Sequence, residues 1–297
     1  MNRRSRRWVH RATVLLICLG GAACVCQSDD HEAAAQEQGK TVISPREAKV
    51  DQSDIRLYFH GSDGFALLEF PELIVFGDTD QGSFSSRAYR WSKEDSGRLH
   101  YDFFAEEKDM TWAAESKAIE DGWILSLTVG NRSPEPWEDV VAVVCLRLNT
   151  SSDFSDKGWK RTYYRTGGEY LAYHGRKRGG GKEIYQMSLV KGRRQIRRSQ
   201  RHQDKWGFTL KQSDDGIIAV VSEDGSTVLT KAFEPVHHLQ ANQRPSNYCI
   251  HANPYFGQIK PGTSKTIKGC ILVTRGSLEE AWARTRKTLK AVTDDPT

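Results

Sequence analysis

One stretch limits the fold more than any other. Residues 140–148 read VVAVVCLRL, with one charged side chain and no alternation between apolar and polar positions. A short run so rich in β-branched residues is a strand buried on both faces, as a central strand beneath two further layers would be. The surrounding chain supplies its partners. Residues 55–60 and 65–70 flank the turn Gly61-Ser62-Asp63-Gly64, and a further run covers 73–76. Trp123, Leu125, Leu127 and Val129 alternate onto one face. Further strands are predicted at 98–105, 170–173, 184–189, 207–211, 217–221, 228–233, 248–251 and 266–274. Asp-Gly pairs at 121–122, 215–216 and 224–225 mark turns between several of them. Residues 111–119 are a weaker strand, because their alanines and glutamate also suit a helix. The spacing predicts an all-β chain: a large antiparallel two-sheet β-sandwich over 46–276, with one C-terminal helix over 277–293. Ser277 caps that helix, Glu280 completes a capping box, and Leu278, Ala281, Trp282, Thr285, Leu289 and Val292 form a stripe that packs on a sheet.

The chain opens as an export signal over 1–26. Arg3, Arg4, Arg6, Arg7 and Arg11 precede an apolar run, 12–26, that falls short of the roughly 20 residues a membrane span needs. Ser5-Arg6-Arg7 before Trp8-Val9 also has the look of a twin-arginine signal. Gly21-Ala22-Ala23-Cys24 resembles a lipobox, which would lipidate Cys24 and attach the protein to a membrane, whereas Ala22-Ala23-Cys24 suits an ordinary signal peptidase. Either cleavage makes the protein secreted or periplasmic, and the first anchors it to the envelope. Residues 27–45 are polar and alanine-rich, a flexible linker.

Removing the leader's arginines leaves 38 basic residues against 38 acidic, but the balance is segregated. Residues 174–205 hold 11 Lys or Arg against Glu183 and Asp204 alone. Arg176, Lys177, Arg178, Arg193, Arg194, Arg197 and Arg198 could bind an anionic polysaccharide, anionic lipid or lipopolysaccharide; the plainer reading is a solvated loop. Export and the absence of a nucleic-acid motif argue against a nucleic-acid partner. Gly179-Gly180-Gly181 lacks the spacing of a phosphate loop, there is no GxSxG or HExxH, and no cofactor is called for. Cys145, Cys249 and Cys270 allow at most one disulfide, or stand as three buried thiols.

Chemistry concentrates at 233–262, which holds three of the eight histidines beyond the leader, a cysteine and four prolines. If 248–251 is extended, Cys249 and His251 project from one face. With His237 or His238 they could ligate zinc or copper, and alone they could form a nucleophile pair. His251 could instead act singly as an acid/base group, the candidate catalytic residue, with Asn242, Asn247 and Asn253 as partners for sugar hydroxyls. His237 and His238 join this ligand-binding set with less force, since adjacent residues of an extended chain point opposite ways. The plainest reading is that His251 locks an Asn253-Pro254 turn. A second cluster, Trp159, Tyr163, Tyr164, Tyr170 and Tyr173, could stack on sugar rings through Tyr163, Tyr164 and Tyr170. Alternate members such as Tyr163 and Tyr173 are expected in the core.

Two stretches carry a resemblance: LSLTVGNRSPEPWEDVVAVVCLRL at 125–148 followed by Phe154, and YCIHANPYFGQIKPGTSKTIKGCI at 248–271. They resemble secreted β-sandwich proteins of planctomycete-like bacteria, related to the galactose-mutarotase-like supersandwich. The resemblance implies an antiparallel two-sheet architecture and a carbohydrate ligand. The mutarotases use a histidine acid with a glutamate base, a pair that finds no residue-by-residue match here. The expectation is a secreted carbohydrate-binding or carbohydrate-processing accessory protein. The alternatives are a sugar epimerase or mutarotase, a metal-assisted hydrolase, or a non-enzymatic envelope protein that holds anionic surfaces.

Overall fold

A computed structural model describes residues 43–294 apart from 52, 77–82, 85–87, 174–184, 197–206, 209–210 and 245–246. The leader, nearly all of the linker, and Arg176, Lys177, Arg178, Arg197 and Arg198 lie outside the described residues.

The strands form two sheets. The first runs β1 (Ser44–Asp51), β2 (Asp54–His60), β3 (Ala66–Val75), β9 (Trp137–Arg147), β17 (Asn247–Ile259), β16 (Val236–Arg244), β12 (Tyr185–Leu189) and β13 (Gly207–Phe208), with β4 (Ser83–Phe84) added to β3. The second runs β11 (Glu169–Ala172), β10 (Thr162–Thr166), β14 (Ile217–Val221), β15 (Thr227–Glu234), β18 (Ser264–Arg275), β8 (Gly122–Asn131), β7 (Met110–Ile119), β6 (Leu99–Ala105) and β5 (Ser92–Lys93). Among these strand pairs only the short β12/β13 pair is parallel. The apolar run becomes β9, central in its sheet and buried on both faces. Its even residues Val140, Ala142, Val144 and Leu146 join the core between the sheets, where Leu125, Leu127 and Val129 of β8 meet them. Residues 110–119 resolve as strand, paired along their whole length with β8.

Helix α1 (Leu278–Asp294) covers the outside of the second sheet. Its Ala281, Trp282 and Leu289 pack on Ile217, Ala219, Val228, Ala232, Cys270 and Leu272. The capping box forms: Ser277 N–H donates to Glu280 Oε2 at 2.7 Å and Glu280 N–H to Ser277 Oγ at 3.2 Å.

Three irregularities converge beside β9. On β3, Glu69 faces Cys145 and Leu73 faces Val143, so residues 70–72 bulge out of the ladder. The carbonyls freed there accept hydroxyls, Tyr101 Oη to Phe70 O at 2.6 Å and Tyr89 Oη to Pro71 O at 3.1 Å. On the other side, β17 pairs with β9 at Cys249 and Ile250 and again from Tyr255, leaving the ladder open between. On β16 the register shifts between Val236 and His238, so His237 is the extra residue of a bulge. The Asn253-Pro254 pair is therefore no turn. It lies within a 13-residue strand, because side chains replace the backbone hydrogen bonds that proline and the open ladder forgo.

Candidate functional site

The odd residues of 141–147 on β9 and of 249–253 on β17 and the even residues of 238–242 on β16 share the outer face of the first sheet, away from the inter-sheet core. Arg147, at the same parity as Cys145 in the apolar run, is the sequence signal that this face is not core. Cys249 and His251 stand side by side as their spacing predicts, with Cys249 Sγ and His251 Nε2 3.1 Å apart. Cys145, which the sequence marks only as a buried thiol, completes the group. Its Sγ, Cys249 Sγ and a His251 ring nitrogen lie within 4.8 Å of one another, and all three residues are buried. Gln240 Nε2 donates to Asn242 Oδ1 at 2.7 Å, which aims Asn242 Nδ2 at Cys249 Sγ (3.1 Å) and His251 Nε2 (3.3 Å). Burial alone would raise the Cys249 thiol, but its close contacts with Cys145, His251 and Asn242 outweigh that and hold Cys249 well below the usual thiol range. Burial pushes Cys145 the other way. Cys270 is far from this face, among the apolar side chains under α1. None of the three cysteines is bridged.

The carboxylates come from β3. Glu69 sits opposite Cys145 and pairs with Arg147, whose guanidinium also lies 3.6 Å from Asp54. The bulge turns Glu72 toward the same place, so that Glu69, Glu72 and Cys145 form a second group within 4.8 Å. Glu72 keeps an exposed surface, yet loss of hydration among its neighbours holds its carboxyl above the usual range.

His237 and His238 do not point opposite ways. The bulge on β16 brings their Nδ1 atoms to 2.8 Å. Hydrogen-bond direction then assigns both rings. Val144 N–H donates to Asn253 Oδ1 at 3.1 Å, so Asn253 Nδ2 is the donor to His238 Nε2 at 2.7 Å. His238 must carry its proton on Nδ1 and give it to His237 Nδ1, and His237 Nε2–H donates to the Arg194 carbonyl at 3.0 Å. Asn253 and His238 are thus consumed in a buried relay that mends the open ladder, which removes them from the ligand-facing set and His238 from the metal set. Val144 O, at the same position, accepts the Lys231 amine at 2.6 Å. Lys231 reaches it from the second sheet, wholly buried, and loss of hydration lowers its pKa to about 7.

The remaining candidates scatter. Asn247 opens β17 opposite Arg244. Tyr164 and Tyr173 stack in the inter-sheet core, ring centroids 4.7 Å apart, so Tyr164 is packing rather than a ligand platform, while Tyr163 is half-buried. Tyr170 packs on Trp282 of the helix at 5.1 Å, across the second sheet from His251. Arg193 lies 4.5 Å over the Tyr255 ring, and Arg194 pairs with Asp139, which also accepts Tyr255 Oη at 2.6 Å. These two arginines serve the first sheet's own structure.

No protein-family model matches the chain, and no curated protein matches it. Among solved structures it is similar to the Slr1438 protein of Synechocystis sp. PCC 6803, at 9% identity and a TM-score of 0.46, over 80% of this chain and 98% of that one. A galactose mutarotase related enzyme from Lactobacillus acidophilus matches at 9% identity and 0.42, over 80% and 99%. A galactose mutarotase-like protein from Lactobacillus casei matches at 7% and 0.44, over 79% and 100%. Each of these likenesses is at under 10% identity and a TM-score under 0.5.

Proposed function

We propose that the protein is a secreted carbohydrate-binding protein that holds its ligand against the outer face of the first sheet. The observation that carries this reading is the composition of that face. Asp54, Glu69, Arg147, Gln240, Asn242 and His251 occupy neighbouring strands where packing alone would place apolar side chains. Carboxylates, amides, imidazole and guanidinium offer the directional donors and acceptors that match a hydroxyl-rich ligand. Glu72 and Arg147 form the accessible corner of the face. The arginine-rich leader supports export, and the basic 174–205 segment extends the ligand range to anionic polysaccharide. A thermal-shift screen with neutral and sulfated glycans tests the reading. A glycan raises the melting temperature, and Glu72→Ala removes that rise without altering the ligand-free value. A screen with no ligand-dependent shift would sink it.

A processing role has its own support. Glu72 and His251 each reach within 4.8 Å of Cys145 on this face, and a carboxylate with an imidazole is a pairing suited to proton exchange at a sugar. As an epimerase, the protein accelerates anomer interconversion followed by polarimetry, and Glu72→Gln lowers the rate about 100-fold or more. Rates equal to buffer across aldoses exclude this version and leave the binding reading standing.

A further inference from the structure

We infer that Cys145, Cys249 and His251 form a binding site for a thiophilic divalent cation, with zinc the best-matched ion. The inference goes beyond the carbohydrate reading and does not rest on it. Three soft or borderline donors from two adjacent strands converge inside 4.8 Å, each from a residue at most 1% exposed. A tetrahedral zinc ion, with Zn–S near 2.3 Å and Zn–N near 2.0 Å, spaces its ligand atoms by about 3.6 to 3.8 Å. The observed Cys249–His251 separation of 3.1 Å needs to open by only about half an ångström.

Hydrogen-bond direction presents the lone pairs inward. Asn242 Oδ1 is taken by Gln240, so Asn242 Nδ2 donates toward Cys249 and His251. His251 Nε2 is then an acceptor, and its proton sits on Nδ1. Among the described residues that buried Nδ1 has no hydrogen-bond partner, nor has the buried Gln240 Oε1. Such a pair of unsatisfied atoms is costly in a group that merely fills space. Cys270 provides the internal contrast: a thiol whose role is packing sits among Ile217, Ala219, Val228 and Leu272.

Binding replaces the thiol protons by two sulfur–metal bonds, the protons passing to solvent, and the two thiolates neutralise the ion's charge. An Asn242 N–H to a bound thiolate is an ordinary outer-shell contact. Three protein ligands leave a fourth position, and the adjoining Glu69 and Glu72 carboxylates, within the same radius of Cys145, make a carboxylate or a water its natural occupant.

The test uses the purified full chain, reduced and stripped with chelator, then titrated with cobalt(II) and afterwards with zinc(II). One equivalent of cobalt is expected to give sulfur-to-metal charge-transfer bands with the intensity of two thiolates and the ligand-field bands of a tetrahedral site, all bleached by zinc. Cys249→Ser and Cys145→Ser each halve the charge-transfer intensity, His251→Ala weakens binding at least about tenfold, and Cys270→Ser changes nothing. Cobalt uptake without thiolate bands, or bands lost with Cys270→Ser alone, overturns the assignment. The charge-transfer intensity of the wild-type protein counts thiolates directly, so the titration decides the matter even if a variant fails to fold. A Cys145–Cys249 disulfide that resists reduction in the folded protein also overturns it. A glycan screen that fails while cobalt binds as described removes the carbohydrate reading and leaves the metal site intact.

Discussion

Lys231 places an amine at the middle of a sandwich core, with a carbonyl oxygen as its hydrogen-bond acceptor. Its folded pKa of about 7 lies below the ordinary 10.5, so between those values the unfolded chain binds more protons than the folded one. Stability therefore climbs as pH rises through that window, and the full cost of the buried charge, on the order of 5 kcal/mol, applies below about pH 7. Lys231→Met removes the charge but strips Val144 O of its donor, worth about 1–3 kcal/mol. The net expectation is a gain of about 2 kcal/mol at pH 6 that shrinks toward zero by pH 9.5, read from urea unfolding at both values. A loss of stability at pH 6 contradicts the account. Asn253→Ala does the opposite: it leaves Val144 N–H and His238 Nε2 unpaired in the core, and unfolding experiments should show a loss of about 2–4 kcal/mol. Residues of these two kinds differ in how readable they are. The same-face pairing of Cys249 and His251 follows from strand parity alone. Lys231 and Asn253 owe their roles to a ladder broken at Val144, and no local pattern announces where a ladder breaks.

Among the elements, β9, β8 and α1 are legible in the sequence because each carries a strong periodic signal: a continuous apolar run, a strict alternation, and a stripe behind a capping box. Strands β1, β10 and β16 are not. Ser44–Asp51 and Thr162–Thr166 are rich in charged or hydroxylated residues, and Val236–Arg244 alternates histidine and amides with its core-facing Leu239 and Ala241, so hydropathy hides it. Residues 65–70 and 73–76 read as two strands because the bulge that joins them as β3 contains a proline. Two substitutions probe the elements. Ser277→Ala removes the helix cap and should cost about 1 kcal/mol in thermal or urea unfolding. In the β7/β8 hairpin, a Cβ at Gly122 would lie 1.9 Å from the Ile271 carbonyl oxygen. Because that neighbour is backbone of β18, Gly122→Ala forces β8 off its partner, with a loss of about 3 kcal/mol or more.

At the largest scale, the described residues of 43–294 stack α1 and the two sheets in three layers whose outer surfaces differ in kind. The second sheet turns apolar side chains outward and hides them under α1, while the first turns hydrogen-bonding groups outward. A chain ending at Gly276 would uncover Ile217, Ala219, Val228 and Leu272, and such a surface drives association. The truncated protein should bind a hydrophobic dye and sediment as aggregates, whereas a monomer of unchanged melting temperature would show the helix to be dispensable. The same division explains why composition says little about function. Buried polar residues on one sheet face leave the totals of a sandwich unaltered, and only the register between strands reveals that they meet.

Asn253 also has a chemical lifetime to consider. Asparagine side chains age when the backbone nitrogen of the following residue attacks the amide, closes a succinimide ring and leaves aspartate in its place. The residue after Asn253 is Pro254, whose nitrogen carries no hydrogen to lose, so that route is closed. An aspartate there could no longer donate to His238 Nε2, and both imidazole assignments along the relay would have to reverse. The proline that interrupts the strand's sequence pattern keeps its neighbour from turning into an acid, and the relay does not carry a clock.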